Sequence, residues 1–263
     1  MNMKSNTGYQ IKPLTIHRRL AADAATVAKE QNAFHCLIEI DITEPRRIIK
    51  RYKEKTKETL SFTAYIITCL VQAVDQNRYL NSFCKGRKLI ILDDVNINTF
   101  IERDINGEKI PESIVISSAQ TKTYKQIHDE LRLAQNQRKD YLNLNRANWA
   151  LYIPGFIRRI IIRRVMHNIS MMKHYGVISV SAVGKSVTDA AWFIPLGGAT
   201  VLVTIGNIFK KPALIEEKTE LREYVCLTVS FNHNIVDGAN AARFTGCLST
   251  LVKSGTLLND FII

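Results

Sequence analysis

The chain has 263 residues, 46% of them hydrophobic and 23% charged, enough to bury a sizeable core without staples, which excludes a disordered tail. Its net charge of +12 points to an anionic partner: nucleic acid, a membrane surface or a phosphate-bearing cofactor. Cys36, Cys69, Cys84, Cys226 and Cys247 form no CxxC pair and have no paired histidines nearby, so they read as reduced core residues of a cytoplasmic protein, with no metal site expected.

The opening stretch MNMKSNTGYQIKP lacks the apolar run of a signal peptide, and residues 1–10 read as a flexible N-terminus. From 11 to 263, helix-like and strand-like segments interleave without a repeat or linker, which predicts one α/β domain. A helix starts near Thr15, with Ile16, Leu20, Ala24 and Val27 on one face and Arg18-Arg19 in its first turns. A strand follows at 33–42, where Phe34, Cys36, Ile38 and Ile40 alternate with polar residues. Thr43-Glu44-Pro45 supplies an N-cap and a first-turn proline for a short basic helix to about Lys55. Residues 61–76 predict a second helix facing the core.

Residues 88–117 read as β structure, with Asn106-Gly107 as a turn, and Thr123 with Gln126 forms a capping box for the next helix. The stretch 149–172, WALYIPGFIRRIIIRRVMHNISMM, predicts a basic amphipathic helix. Ile157, Ile161, Ile162, Val165, Met166 and Ile169 share one arc, and Arg159, Arg163, Arg164 and His167 the other. The preferred reading packs the apolar arc on the domain and solvates the arginines; the competing one lays the helix on anionic lipid. Residues 190–209 are uncharged and nearly of membrane-span length, but their glycines, Pro195 and the β-branched run 200–205 favour a buried strand flanked by turns.

The last strand, 225–232, places Val225, Leu227, Val229, Phe231 and His233 on one face, and burial there is expected to keep the His233 ring neutral, the state a general base requires. Asp237-Gly238 then opens a helix over which Phe244, Cys247, Leu248, Leu251 and Val252 recur at helical spacing, with Gly255 placed to stop it. Taken singly, a histidine at a strand end is usually structural and Asp237 is an ordinary N-cap.

Together they carry more. HNIVDG matches the HxxxDG motif of the chloramphenicol acetyltransferase-like superfamily, and SFNHNIVDGANAARF resembles the corresponding stretch in the catalytic domains of dihydrolipoamide acyltransferases. The similarity continues through IHRRLAADAATVAKE, LIEIDITEP, LSFTAYIITCLVQAV, LDDVNINTFIE, HYGVISVSAVGKS and ATVLVTIGNIFKKPAL, in family order from about residue 11 to 258.

The resemblance implies a chloramphenicol acetyltransferase-like α/β fold, a mixed sheet with packed helices, that trimerises and transfers acyl groups from coenzyme A in channels between subunits. It implies His233 as the base, Asp237 as a site-orienting residue acting through Arg18, with Arg19 as the alternative, and Ser181, with Ser179 as fallback, as the donor to the tetrahedral oxyanion. The expected substrates are an acyl-CoA donor and a thiol, hydroxyl or amine acceptor.

Three features depart from the family. No lipoyl or subunit-binding domain is recognised, so a separate lipoyl or acyl carrier protein is the expected partner if the acyl group arrives on an arm. Asn232 and Asn234 stand where the family usually has an acidic residue or histidine and an arginine, and the 140–172 segment is longer and more apolar than its counterpart. Two other readings compete: an inactive trimeric scaffold or regulatory paralogue, and a nucleic-acid or membrane binder using Arg158, Arg159, Arg163 and Arg164. Without a nucleic-acid motif, the last ranks lowest.

Overall fold

The computed structural model describes residues 8–105, 108–136, 152–184 and 187–262. The expected Asn106-Gly107 turn and most of the expected flexible N-terminus lie outside them.

Alternation and helical spacing place the first elements as expected. Helix α1 (Ile16–Ala28) is capped by Thr15, whose Oγ1 accepts the Arg18 N–H at 3.4 Å. Strand β1 (Ala33–Asp41) leads into α2 (Thr43–Thr56), where Thr43 is already helical and Ile42 occupies the cap position. The Thr43 hydroxyl instead donates to Asp41 Oδ1 at 2.7 Å; burial, the largest single effect, raises the Asp41 carboxyl, but this bond, the Thr43 N–H and the Arg222 guanidinium together hold it below its usual range.

Helix α3 (Phe62–Gln76), capped by Ser61, is apolar on nearly every side and forms the centre of the core. Its Tyr65 hydroxyl donates to the carbonyls of Leu251 and Val252, near the end of the last long helix. Burial pushes the Tyr65 phenol up and the Cys69 thiol up to about 12, so both stay protonated. Only Cys69 and Cys226 are fully buried; Cys36, Cys84 and Cys247 are half-buried, and all five are free.

Strands β2 (Ser82–Lys85) and β3 (Lys88–Ile91) form a small antiparallel sheet. The sequence pattern did not signal β2, which is only four residues long. Strands β4 (Ile97–Ile105) and β5 (Glu108–Ile116) follow, then α4 (Tyr124–Asn136), where Thr123 and Gln126 make the expected reciprocal capping bonds. Beyond lie α5 (Gly155–Met166), α6 (Ile169–Tyr175), β6 (Ile178–Ala182), β7 (Val201–Ile215), β8 (Lys218–Asn232) and α7 (Gly238–Ser254).

Six strands make one mixed sheet in the order β1-β8-β7-β6-β4-β5, in which β4, β6 and β7 run parallel and the other pairs antiparallel. β7 and β8 are longer than the sequence predicted because a polar outer half, 210–222, continues the hairpin to a turn at Glu216-Glu217, both with positive φ. The uncharged run 190–209 ends in the buried start of β7, and no described helix is long and apolar enough to cross a membrane.

The reading of α5 requires correction. Three of its arginines are paired rather than solvated: Arg158 and Arg159 pair with Asp23 of α1 at 2.6 and 3.3 Å, and Arg163 makes a bidentate pair with Glu30, while Arg164 stays exposed and the expected apolar arc is split, with Ile162, Val165 and Met166 half-buried and Ile157, Ile161 and Ile169 exposed. Phe156, Ile157, Ile160 and Ile161 are exposed, and no residue of α5 is fully buried. Helical periodicity identified two faces but not the partners of the charged one. Asp23 decides that for Arg158 and Arg159, because a buried carboxylate demands a cation, whereas Glu30 and Arg163 pair at the surface.

Candidate active site

Four chain segments meet at the end of β8. The strand closes one residue before His233, which opens a turn rather than ending the apolar row. Its backbone N–H donates to the Asn32 carbonyl at 2.7 Å, and its ring lies 5.0 Å from that of Phe34, which stacks in turn on Phe231. Within one chain His233 is exposed, so the expected desolvation of its ring is absent. Strand alternation assigned the residue to the face of Phe231 without registering that the strand stops there.

The two asparagines flanking His233 fix the turn. Asn234 N–H donates to Asn232 Oδ1 at 3.1 Å, an Asx-turn, while Asn32 Nδ2 donates to Asn234 Oδ1 at 3.0 Å. Sequence comparison marked both as departures; their Asn-x-Asn spacing was the signal of this role. Asp237 caps α7, accepting from the backbone N–H and the side-chain Nδ2 of Asn240 at 2.7 and 3.1 Å. Among the described residues no ion pair joins it to Arg18 or Arg19, which are exposed on the first turns of α1.

Ser179 and Ser181 are half-buried on the same face of β6. Ser181 pairs across the sheet with Thr204, and Thr204 with Thr228. Ser181 is therefore level with Thr228, two strands away, while His233 lies five residues further along β8. At ~3.3 Å per residue and ~4.8 Å between strands, the serine and histidine of one chain are roughly 19 Å apart. The structure thus places His233 and Asp237 on the turn that leads from β8 into α7 but does not bring Ser181 to His233 within one chain. Thr204 Oγ1 and Thr228 Oγ1, buried in the row that starts at Ser181, have no hydrogen-bond partner among the described residues.

A cleft of about 290 Å³ opens beside the turn and was not foreseen in the sequence, because its walls come from distant segments. Val27 of α1, Phe83 and Cys84 of β2, Met172 of α6 and Val177 form apolar walls. Asn232 and Asn234 lie on its rim. Arg163, Met166 and His167, at the end of α5, close one side. Thr200, another lining residue, donates from its hydroxyl to the Ser82 carbonyl and from its N–H to the Val177 carbonyl.

Away from this region, Glu58, His128 and Asp129 bring ligand-type atoms within 4.8 Å of one another. Lys125 already bridges the two carboxylates, and His128 Nδ1 accepts the Ser61 N–H at 3.0 Å, so the group is satisfied internally.

Residues 6–147 and 168–258 match the family model described as 2-oxoacid dehydrogenases acyltransferase (catalytic domain). The chain is 23% identical over 224 residues to the lipoamide acyltransferase component of the branched-chain alpha-keto acid dehydrogenase complex of Bacillus subtilis strain 168; the match covers 83% of this chain and 46% of that protein. The chain thus spans less than half the length of this relative. The crystal structure of a probable dihydrolipoamide acetyltransferase from Listeria monocytogenes superposes with a TM-score of 0.71 at 22% identity, over 96% of this chain and 97% of that one. A truncated catalytic core of the 2-oxoacid dehydrogenase multienzyme complex from Thermoplasma acidophilum gives 0.68 at 20% identity, over 94% and 100%. These superpositions bear out the expected α/β fold, with its mixed sheet and packed helices. On the extent of the match to the family model, the chain belongs to the family of 2-oxoacid dehydrogenase acyltransferase catalytic domains.

Proposed function

We propose that the protein is a cytoplasmic, coenzyme A-dependent acyltransferase with residues 11–263 as its catalytic unit, working as a homotrimer whose sites lie between subunits. The observation that carries this reading is the separation of Ser181 from His233 on one sheet, roughly 19 Å by strand geometry, in a fold shared with acyltransferase cores. Two groups required at one reacting carbon cannot meet within a chain. Both are free to meet if Ser181 of one copy faces His233 of the next.

In this mechanism His233 takes the proton from the acceptor thiol, hydroxyl or amine as the acceptor attacks the thioester carbonyl. The Ser181 hydroxyl of the neighbouring copy donates to the oxyanion so formed. Collapse breaks the carbon–sulfur bond, and the departing coenzyme A thiolate receives the proton held by His233. Packing of the second copy supplies the cover that His233 lacks in one chain, lowering the polarity around its ring. Arg18, or Arg19 beside it, comes to Asp237 in the same assembly and orients the turn. The net charge of +12 suits a donor that carries phosphates. A separate lipoyl or acyl carrier protein is the partner that would deliver or remove the acyl group.

One observation favours an alternative, a trimeric scaffold or regulatory paralogue without chemistry: both Asp237 oxygens are engaged by Asn240 rather than by arginine. Thioester cleavage decides between them. With a panel of acyl-CoA donors and dihydrolipoamide, His233→Ala lowers turnover by roughly 100- to 10,000-fold if His233 is the base. A rate indifferent to this substitution removes the enzymatic assignment.

A further inference from the structure

The family match leaves a gap at residues 148–167, and this gap contains α5, whose end lines the cleft next to the His233 turn. We propose that the cleft is the acyl-chain pocket of this protein, that it takes an acyl chain longer than acetyl, and that α5 makes it selective. The inference rests on the acyltransferase reading above and specifies its donor.

Three observations support it. First, the cleft opens at the turn that carries the proposed base, since Asn232 and Asn234 both line it. Second, Val27, Phe83, Met172 and Val177 give it an apolar wall that matches a hydrocarbon chain, and the charged lining residues Arg163 and Glu30 are paired with each other. At ~30 Å³ for each water-sized group, 290 Å³ holds several such groups, far more than the single methyl of an acetyl thioester needs. Third, the wall from α5 is fixed in place. Arg163 joins Glu30 through two hydrogen bonds, and His167 Nδ1 lies 2.7 Å from the Arg163 carbonyl. Met166 sits between these two residues, with a thioether chain that adapts to an apolar ligand.

α5 therefore acts as one wall of a binding cleft, and Arg158, Arg159 and Arg163 tie that wall to α1 through Asp23 and Glu30, with Met166 and His167 at the end where the ligand passes.

The test measures binding of hexanoyl-CoA and acetyl-CoA by calorimetry in a His233→Ala background, where no turnover intervenes. Each buried methylene contributes about fourfold in affinity, so four additional methylenes in a partly wet cleft should favour hexanoyl-CoA by at least tenfold. Met166→Trp, which fills the cleft from α5, and Ala199→Leu, which fills it from another lining position, should each bring that ratio to within about threefold of unity, with thermal unfolding confirming that both variants fold. A parental ratio near unity, no detectable hexanoyl-CoA binding, or a ratio unmoved by both variants overturns the pocket. Turnover with His233 intact separates the two claims. A shifted binding ratio without turnover of either thioester leaves the pocket and removes the transferase; turnover with an unmoved ratio does the reverse.

Discussion

Arg158 Nε lies 2.6 Å from Asp23 Oδ2, joining α5 to α1 through two side chains that are 12% and 8% exposed. Arg158 also donates to the Ile153 carbonyl at 2.7 Å, and Arg159 reaches the other Asp23 oxygen. The pair is sheltered enough that losing either member leaves a charge without adequate solvation. Arg158→Ala is expected to lower stability by roughly 2–3 kcal/mol, with Arg159 limiting the damage. Arg164→Ala, on the exposed part of the same helix, should stay within about 0.5 kcal/mol of the parent. Urea unfolding of both variants checks the contrast; equal midpoints for Arg158→Ala and the parent would show that the pair holds nothing.

Buried His128 accepts the Ser61 N–H at the start of α3, and burial holds its pKa below the ordinary value of 6.5, aided by Lys125 and Arg132 and opposed by Asp129 and Glu58. A group whose folded pKa is depressed binds fewer protons in the folded than in the unfolded state. Its contribution is therefore complete above about 6.5 and is lost as pH falls through the lower, folded value. The melting temperature is expected to fall on acidification from 6.5, before the carboxylates titrate. His128→Gln should flatten this part of the curve, as a pH series of thermal unfolding would reveal.

Gly184 follows β6 at a point where any side chain meets backbone. A Cβ there would lie 2.0 Å from Gly206 O, so Gly184→Ala must move β6 or β7. The expected cost is about 1–3 kcal/mol. Turnover should fall with it, because Ser181 stands three residues earlier on the displaced segment. A variant with unchanged melting temperature and unchanged kcat would contradict this coupling.

Most of the scaffold could be read from the sequence because local physics and tertiary packing agree there. Phe34 to Ile40 alternate, Ser61 caps an apolar helix, and Asp237-Gly238 opens α7. Where the reading failed, a distant partner decided the outcome. Asp23 and Glu30, more than 130 residues away, paired with Arg158, Arg159 and Arg163 of α5. Asn32, two hundred residues from Asn234, completed the turn around His233. The exposure of His233 has a different cause: strand alternation gives the direction of a side chain but not whether anything covers it. The HxxxDG spacing located the candidate site, whereas the register of β6, β7 and β8 separated its proposed serine from its proposed base.

That separation also supplies the most direct test. His233→Ala and Ser181→Ala should each be inactive or nearly so as pure proteins. Unfolded and refolded together in equal amounts, they should regain activity, because about one quarter of the sites in a random trimer combine an intact His233 from one copy with an intact Ser181 from its neighbour. Recovery approaching this share of the parental rate is the result expected for a site shared between copies. A mixture no more active than the two separate variants, in trimers shown to have exchanged subunits, would contradict it.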